Sequence, residues 1–204
     1  MPNNFISNVT AKISRLLRSN KVLSKTPTRD YLRDWVNEEG KEYRINVYQR
    51  QGKGGQKPLI SNPTFQEVKQ ALRPHSPNSV LEVGCGWGRL LDELKDEFNV
   101  EGCDISDDML GLCPPGLKVF KLDIVKVDEN FLQKNMNHWD VILTRGVMLY
   151  FMNSPQQMAK ALENLSRLAN KKVLFWEWLE VCEHMKKVFS HSKFEFHPIE
   201  KRDE

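Results

Sequence analysis

The chain has 204 residues, of which 40% are hydrophobic and 28% are charged, and its formal net charge at pH 7 is +3. This length and composition are typical of one globular α/β domain with a small additional element. No apolar run is long enough for a membrane span, and no secretory signal, internal repeat or low-complexity tract is visible. We therefore expect a cytoplasmic protein without a membrane-spanning segment.

The cysteines favour the same location. The spacing of the four cysteines does not form the pairs that metal sites use, so no metal site is predicted. Free thiols are typical of a reducing compartment. We therefore expect free thiols at Cys85, Cys103, Cys113 and Cys182.

Charge is distributed unevenly along the chain. Residues 1–57 contain twelve Lys or Arg against five Asp or Glu, whereas residues 58–204 contain eighteen against twenty-two. Within the basic part, Ile13, Leu16 and Leu17 fall on one face of a predicted helix. Three interpretations stay open: a helix that covers or packs on the domain, a segment that contacts nucleic acid or an anionic surface, and an organelle-targeting segment. The last is least favoured because arginines are few.

The segment that follows is predicted to be a lid. A helix is expected over residues 31–36, a flexible basic loop over 51–58, and a second helix over 62–72. We divide the chain into an N-terminal basic helical cap at residues 1–75 and a core at residues 76–204.

Residues 79–89 are the most informative stretch of the core. A short apolar strand over 80–83 leads directly into glycines at 84, 86 and 88, and helical periodicity resumes at Arg89. Glycine permits a sharp turn and lets a ligand approach the backbone within contact distance. A strand, a glycine turn and a helix N-terminus together predict a binding corner for a nucleotide-like ligand.

Two common nucleotide motifs do not fit this corner. The dinucleotide fingerprint needs glycine at its sixth position, but the sixth residue from Gly84 is Arg89. The Walker loop needs Gly-Lys-Ser or Gly-Lys-Thr at its end, and that sequence is absent here. We therefore expect a nucleotide-like ligand of another kind.

The rest of the core alternates predicted strands and helices, as an α/β domain does. Further strands are expected over residues 98–104, 118–124, 139–145, 171–178 and 194–199. Helices are expected from Ser106, over 155–168 and over 180–190.

The pattern Glu82-x-Gly84-x-Gly86-x-Gly88 resembles the first motif of the class I S-adenosylmethionine (SAM)-dependent methyltransferases. The resemblance implies a Rossmann-like three-layer α/β sandwich, with a mostly parallel sheet, helices on both faces and an N-terminal helical cap. The family's sheet normally ends in a β-hairpin whose final strand is antiparallel. Only one strand of this final hairpin, at 194–199, is visible in the sequence, so either the sheet is shorter or the chain is clipped.

The resemblance also implies which residues bind SAM. Backbone N–H groups at the helix start would receive the cofactor's carboxylate, and Glu82 would face its cationic parts. Asp104 would accept hydrogen bonds from both ribose hydroxyls. Asp123 would face the adenine amino group, with the backbone of Ile124 beside the ring, although an aspartate at a strand end can simply cap a turn. The predicted cofactor site comprises Glu82, Gly84, Cys85, Gly86, Gly88, Asp104, Ile105, Asp123, Ile124 and Arg145.

Candidate residues for the methyl acceptor lie in the lid and after the fourth and fifth strands. In small methyltransferases of this kind, N-terminal helices close over the cofactor. Aromatic residues of the lid are therefore candidate pocket residues, with ordinary packing as the alternative: Tyr31, Trp35, Tyr43 and Tyr48. Tyr150 and Glu177 are candidate catalytic residues because they could orient or deprotonate an acceptor, and ordinary hydrogen bonding is the alternative for both.

The substrate class is inferred from motifs that are absent. We find no Asn-Pro-Pro-Tyr or Asp-Pro-Pro-Tyr tetrad, no Pro-Cys nucleophile motif and no metal-dependent catechol pattern. These absences favour a methyltransferase that acts on an O or N atom of a small molecule. Two alternatives stay open: a protein or RNA methyltransferase that uses the basic N-terminal helix, and a catalytically silent SAM-binding partner of another subunit.

Overall fold

The structure of the protein is a computed structural model that describes residues 30–51, 65–188 and 191–199. The predicted basic helix before residue 30 and most of the predicted loop over 51–58 lie outside these residues. All four aromatic lid residues and all predicted cofactor residues lie within the described ranges.

A six-stranded parallel sheet forms the centre of the domain. Its strands lie in the spatial order β3-β2-β1-β4-β5-β6, and every neighbouring pair runs parallel. The reversal of order at β1 and β4 creates a crevice at the carboxyl ends of these strands, where open α/β sheets bind ligands. The strands are β1 (Val80–Val83), β2 (Val100–Asp104), β3 (Lys118–Lys121), β4 (Trp139–Arg145), β5 (Ala169–Trp178) and β6 (Phe194–Ile199).

Helices cover both faces of this sheet. The α-helices are α1 (Tyr31–Trp35), α2 (Lys41–Gln51), α3 (Phe65–Leu72), α4 (Arg89–Leu94), α5 (Asp107–Leu110), α6 (Glu129–Lys134), α7 (Pro155–Leu168) and α8 (Leu179–Val188). Short 3₁₀ segments lie at Glu38–Gly40, Arg73–His75 and Met148–Phe151. None of the helices in the described parts of the chain combines the length and the apolarity that a membrane span needs.

Alternating strand residues divide the core into two layers. Leu81 packs with residues of α1, α6, α7 and α8, whereas its neighbour Val80 packs with residues of α3 and α4. This is the consequence of the two-residue period of a strand whose faces are both buried. The predicted three-layer sandwich is therefore confirmed. Helix α3 packs on this core through Val68 and Leu72, although the predicted division at residue 75 counts it with the cap.

Two strands differ from the sequence-based expectation. β3 ends at Lys121 rather than at residue 124, because Asp123 begins a turn in which its side chain accepts the N–H of Val125. β2 begins at Val100 rather than at residue 98. The predicted strands were too long, at the start of β2 and at the end of β3.

The last strand also departs from what the resemblance implied. β6 pairs directly with β5 and runs parallel to it, from Val173–Phe194 to Trp178–Ile199. Within the described residues the sheet has no antiparallel strand. Helix α8 returns the chain to the start of the sheet, which is the geometry of a parallel crossover.

Candidate cofactor-binding site

The loop between β1 and α4 depends on glycine backbone geometry. Gly84, Gly86 and Gly88 have φ values of +77°, +55° and +77°, which side-chain-bearing residues adopt only with strain. The carbonyl of Cys103 in β2 accepts the N–H groups of Gly84 and Cys85 at 2.8 and 3.0 Å. The glycine loop is therefore held against the end of the neighbouring strand.

The three glycines have different spatial roles. A Cβ atom on Gly84 would lie 2.4 Å from the side chain of Val147, and one on Gly88 would lie 2.8 Å from Leu117. These two glycines are required by close packing within the protein. Among the described residues, a Cβ on Gly86 would meet only the methyl carbon of Met109, at an ordinary 3.5 Å. Gly86 thus has space beside its backbone, which is what close approach of a ligand requires.

Asp104 lies at the end of β2, directly beside this loop. Its carboxylate oxygens accept the N–H of Gly86 at 2.8 Å and the N–H of Ser106 at 2.9 Å. Burial raises the pKa of Asp104, and the backbone N–H donors oppose that rise. Each carboxylate oxygen has a second lone pair, so Asp104 can hold the loop and still accept a hydroxyl group of a ligand.

Glu82 and Arg145 form a buried ion pair that sequence reasoning missed. Arg145 donates from Nε and Nη2 to Oε1 of Glu82 at 3.2 and 3.1 Å. Burial raises the pKa of Glu82 to about 7, although the guanidinium of Arg145 works in the opposite direction. The second oxygen, Oε2, is buried and has no hydrogen-bond partner among the described residues. That oxygen fits a cationic group of a ligand at this strand end.

The predicted adenine residues lie at the turn after β3. Asp123 accepts the N–H of Val125 at 2.9 Å through Oδ1, which is the turn-capping role considered as the alternative. Its other oxygen lies 3.4 Å from the hydroxyl of Tyr31 in the lid. Ile124 is buried, and its carbonyl accepts the side-chain amide of Asn164 at 2.8 Å. Asn164 therefore fixes the backbone that the resemblance places beside the adenine ring.

Two remaining cofactor candidates pack close to the loop. Ile105 follows Asp104 and is partly buried against the larger core cluster. Cys85 lies within the glycine loop and is 4% exposed. Its thiol donates to the carbonyl of Gly86 at 3.7 Å. The side chain of Cys85 therefore lies next to Gly86, the glycine with space beside its backbone.

Glu177 lies at the end of β5 and supports the turn after β4. Its Oε1 accepts the N–H groups of Val147 and Met148, both at 2.9 Å. Burial raises the pKa of Glu177 to about 7. Because Val147 packs against Gly84, Glu177 positions one wall of the glycine loop. This is the hydrogen-bonding role that was the alternative to catalysis.

Aromatic rings connect the lid to the carboxyl edge of the sheet. Trp35 packs edge-on against Tyr43 at 5.5 Å and against Tyr150 at 6.3 Å between ring centroids. Tyr48 packs against Trp87 of the glycine loop at 5.6 Å. Tyr31 packs against Phe151 at 5.4 Å. All four predicted lid aromatics therefore contact one another or residues of the core.

Arg44 anchors the lid, and no sequence pattern indicated it. Its side chain is 3% exposed and donates from Nε and Nη2 to Asp108 at 2.9 and 2.6 Å. Nη1 donates to the backbone carbonyls of Asp34 and Asn37 at 3.2 and 2.9 Å. Asp108 belongs to α5, which follows Asp104 directly. The ion pair thus ties α2 of the lid to the edge of the glycine corner.

Comparison with known proteins identifies the domain. Residues 80–172, from β1 into β5, match the family model described as a methyltransferase domain. An S-adenosylmethionine-dependent methyltransferase from Methanococcus maripaludis has a similar structure, with a TM-score of 0.51 at 12% identity, over 80% of this chain and 72% of that one. The search of curated proteins gave no sequence match.

Two sugar-modifying enzymes have a similar structure, each with a TM-score of 0.50. An amino pentose methyltransferase from Micromonospora echinaspora, solved with SAM bound, is 19% identical over 68% of this chain and 58% of that one. A sugar N-methyltransferase from Streptoalloteichus sp. is 18% identical over 67% of this chain and 53% of that one. This chain therefore spans little more than half the length of either enzyme, and the likeness concerns the fold.

The family match and the sheet topology agree. Residues 80–172 match the model of a methyltransferase domain, and the fold is shared with a SAM-dependent methyltransferase. The fold expected from the Glu82-to-Gly88 motif is confirmed.

Proposed function

We propose that the protein is an enzyme that binds SAM at the glycine loop and transfers its methyl group to an O or N atom of a small molecule. The observation that carries the proposal is the environment of Gly86. Its backbone has open space on one side and bonds to Asp104 on the other, and Glu82 presents an unpaired buried oxygen at the same strand ends. The corner thus combines a bare backbone with buried carboxylates, which suits a cationic nucleoside.

The residues of the corner have separate proposed roles. Asp104 binds the ribose hydroxyls, and Glu82 faces the cationic parts of the cofactor. Gly84 and Gly88 shape the loop together with Cys85, while Ile105, Asp123 and Ile124 border the adenine. Arg145 is the counter-ion of the buried Glu82 and opposes the rise in its pKa that burial causes, which favours a carboxylate that can accept from the cofactor.

Catalysis in this proposal depends on positioning and on exclusion of water. SAM, when bound, supplies a methyl group that is already electrophilic because its sulfur is positively charged. The protein therefore has to hold an acceptor atom in line with that methyl group and keep competing water out. Tyr150 orients the acceptor, since it lies on the turn after β4 and contacts Trp35 of the lid. Glu177 acts by holding that turn in place.

A small acceptor fits the lid better than a polymer does. The lid is fixed to the corner at several points, through Arg44 and Asp108 and through Tyr48 and Trp87. In this proposal, a lid tied to the corner at these two contacts closes over a small substrate. Two of the structural neighbours act on sugars, which supports a small-molecule acceptor. The four free thiols support a reducing, cytoplasmic compartment.

Transfer of label from methyl-labelled SAM tests this proposal. Purified protein is incubated with labelled SAM and a cell extract, and the extract is then separated into small molecules, protein and RNA. We expect label in the small-molecule fraction, and much less label with Asp104→Ala. The matched control is Asp107→Ala, which removes a more exposed carboxylate three residues further along.

The other outcomes distinguish the alternative functions. Label in the protein or RNA fraction would contradict a small-molecule acceptor and favour an enzyme that uses the basic N-terminal segment. Binding of SAM without transfer into any fraction, together with a tight complex with another subunit, would favour a non-catalytic partner. Absence of SAM binding would contradict the proposal as a whole.

A further inference from the structure

Two thiols lie next to the carbonyl of Gly86, the central glycine of the loop. The Sγ atoms of Cys85 and Cys113 both donate to the carbonyl of Gly86, at 3.7 and 3.6 Å. Cys113 belongs to the loop after α5, 28 residues further along the chain. The N–H of Gly86, which belongs to the preceding peptide unit, donates to Asp104 at 2.8 Å. Gly86 is therefore held through its N–H by a carboxylate and through its carbonyl by two thiols.

The two thiols are neighbours at this shared carbonyl, and Cys113 Sγ also lies 3.9 Å from the carbonyl oxygen of Met109. The neighbouring Cys85 thiol lowers the pKa of Cys113, while the neighbouring Cys113 thiol, together with burial, raises the pKa of Cys85. Cys113 is half-buried, whereas Cys85 is buried. Cys113 is therefore the thiol that solvent reaches and that ionises first, and Cys85 is the neighbour that can resolve an oxidised sulfur.

The other two cysteines lack this arrangement. Cys103 is fully buried within β2. Cys182 lies in α8, where its thiol donates to the backbone carbonyl of Glu177 at 3.5 Å. Of the four cysteines, only 85 and 113 share an acceptor.

We propose that Cys85 and Cys113 form an oxidation site that is converted reversibly to a disulfide by hydrogen peroxide. The thiolate of Cys113 attacks one peroxide oxygen, so that an S–O bond forms, the O–O bond breaks and the departing hydroxide becomes water. Cys85 then attacks the oxidised sulfur, so that the S–S bond forms, the S–O bond breaks and its thiol proton leaves in a second water. Two thiols are oxidised and one peroxide is reduced to two waters.

The disulfide would alter the glycine loop, and this consequence rests on the proposed SAM site. Both S–H donors to Gly86 are lost on oxidation, and the sulfur atoms must approach to about 2.05 Å, a normal disulfide bond length. Cys85 lies within the loop and Cys113 outside it, so the new bond displaces Gly86 from its present position. Because the N–H of Gly86 bonds to Asp104, SAM affinity is expected to fall.

Peptide mapping and calorimetry test the site. Full-length protein is reduced, freed of reductant, treated with a stoichiometric amount of hydrogen peroxide, blocked with N-ethylmaleimide and digested for mass spectrometry. We expect a cross-linked peptide pair that joins Cys85 to Cys113. We also expect the Kd for SAM to rise at least about tenfold, the size that follows from losing one or two hydrogen bonds, and to return to its starting value with dithiothreitol.

Two variants make the result specific. Cys113→Ser keeps a hydroxyl donor beside Gly86 but cannot form the disulfide, so its Kd for SAM should be the same before and after peroxide. Cys182→Ser is the matched control, and its response to peroxide should equal that of the wild type. A different cysteine pairing, or only sulfinic acid at Cys113, would overturn the proposed site.

The remaining outcomes separate this inference from the proposed function. If the Cys85–Cys113 disulfide formed and SAM affinity did not change, the proposed effect of the disulfide on cofactor binding would be overturned. If the reduced protein bound no SAM at all, the proposed function would fall, and the peptide map would still decide whether the disulfide forms.

Discussion

The cofactor corner and the lid are held together by different kinds of contact. In the corner, Glu82, Gly86 and Asp104 lie on adjacent parallel strands or at their ends, and backbone geometry brings them together. The lid is joined to the corner by side-chain contacts between distant segments, such as Arg44 with Asp108. Changes in the corner should therefore act mainly on cofactor affinity, and changes in the lid mainly on stability and on acceptor binding.

The largest effect is expected at Asp104, which belongs wholly to the corner. Asp104→Ala removes the acceptor for the proposed ribose hydroxyls and also frees the N–H of Gly86. We expect a loss of SAM binding free energy of about 2–3 kcal/mol, measured by isothermal titration calorimetry. Asp107→Ala, which loses only a surface ion pair with Lys121, should bind SAM as the wild type does. Equal affinities for the two variants would remove Asp104 from the cofactor site.

Gly86→Ala tests whether the open space beside this glycine is used by the cofactor. The added methyl group meets only Met109 inside the protein, at an ordinary distance. With cofactor bound we expect overpacking that weakens SAM affinity by about 2 kcal/mol. Gly116→Ala is the matched control, since Gly116 also has a positive φ and nothing lies near its Cβ position. Weakening in both variants to the same degree would show that only backbone strain is involved.

Glu177→Gln tests the support between the corner and the turn after β4. Burial holds the pKa of Glu177 at about 7 in the folded protein, above its ordinary value of 4.5, so the folded state binds this proton more tightly than the unfolded chain. The stabilisation of the fold by protonated Glu177 is therefore fully present below about pH 4.5 and is lost as pH rises through 7. We expect the free energy of unfolding to fall by on the order of 2 kcal/mol over this range.

Urea unfolding between pH 4.5 and 8 measures this slope. Glu177→Gln keeps an oxygen for the N–H groups of Val147 and Met148 but cannot titrate, so its slope should be smaller than that of the wild type. Part of the slope should persist because burial also raises the pKa of Glu82 to about 7. Glu180→Gln, at an exposed position of α8, should leave the slope unchanged. Identical slopes for wild type and Glu177→Gln would contradict a buried, titrating carboxyl group.

Arg44→Met should act on the lid while sparing the corner. It removes the ion pair with Asp108 and two hydrogen bonds to backbone carbonyls. Because Asp108 is half-exposed and can be rehydrated, we expect a loss of only about 1–2 kcal/mol in the free energy of unfolding. Faster proteolysis within residues 30–51 should accompany it. The control is Arg33→Met, because the guanidinium of Arg33 is half-exposed where that of Arg44 is buried. An equal loss of stability in the two variants would show that Arg44 has no special role.

The smallest effect is expected for Tyr31→Phe, which tests the contact between the lid and Asp123. The hydroxyl lies 3.4 Å from the carboxylate, and burial together with Asp123 raises the pKa of Tyr31 to about 12. Loss of this long hydrogen bond should change SAM affinity by about 0.5–1 kcal/mol. A loss of SAM affinity as large as that of Asp104→Ala would show that cofactor binding depends on this lid contact far more than we expect.

The corner was largely predictable from the sequence because its signals are local. An apolar run before alternating glycines predicts the strand and the turn, and an acid about twenty residues later predicts Asp104 beside them. The register of neighbouring parallel strands then brings these residues to one edge. The short β3 and the parallel β6 were not predicted, since strand ends and strand direction depend on the partner strand.

The ion pairs between distant segments could not be predicted in the same way. Arg145 and Glu82 are 63 residues apart, and Arg44 and Asp108 are 64 apart. No periodicity or spacing indicates which of thirty basic residues finds which carboxylate in three dimensions. Arg145 was predicted to bind the cofactor, which stays a prediction, and in the structure its guanidinium pairs with Glu82.

Calorimetric titration of the reduced wild-type protein with SAM tests the central claim most directly. A cationic nucleoside bound against the open backbone of Gly86 should give saturable heat with a one-to-one stoichiometry, and the heat should be strongly reduced in Asp104→Ala. A protein that gives no heat with millimolar SAM, yet binds a dinucleotide or a nucleoside triphosphate at the same loop, would contradict the claim.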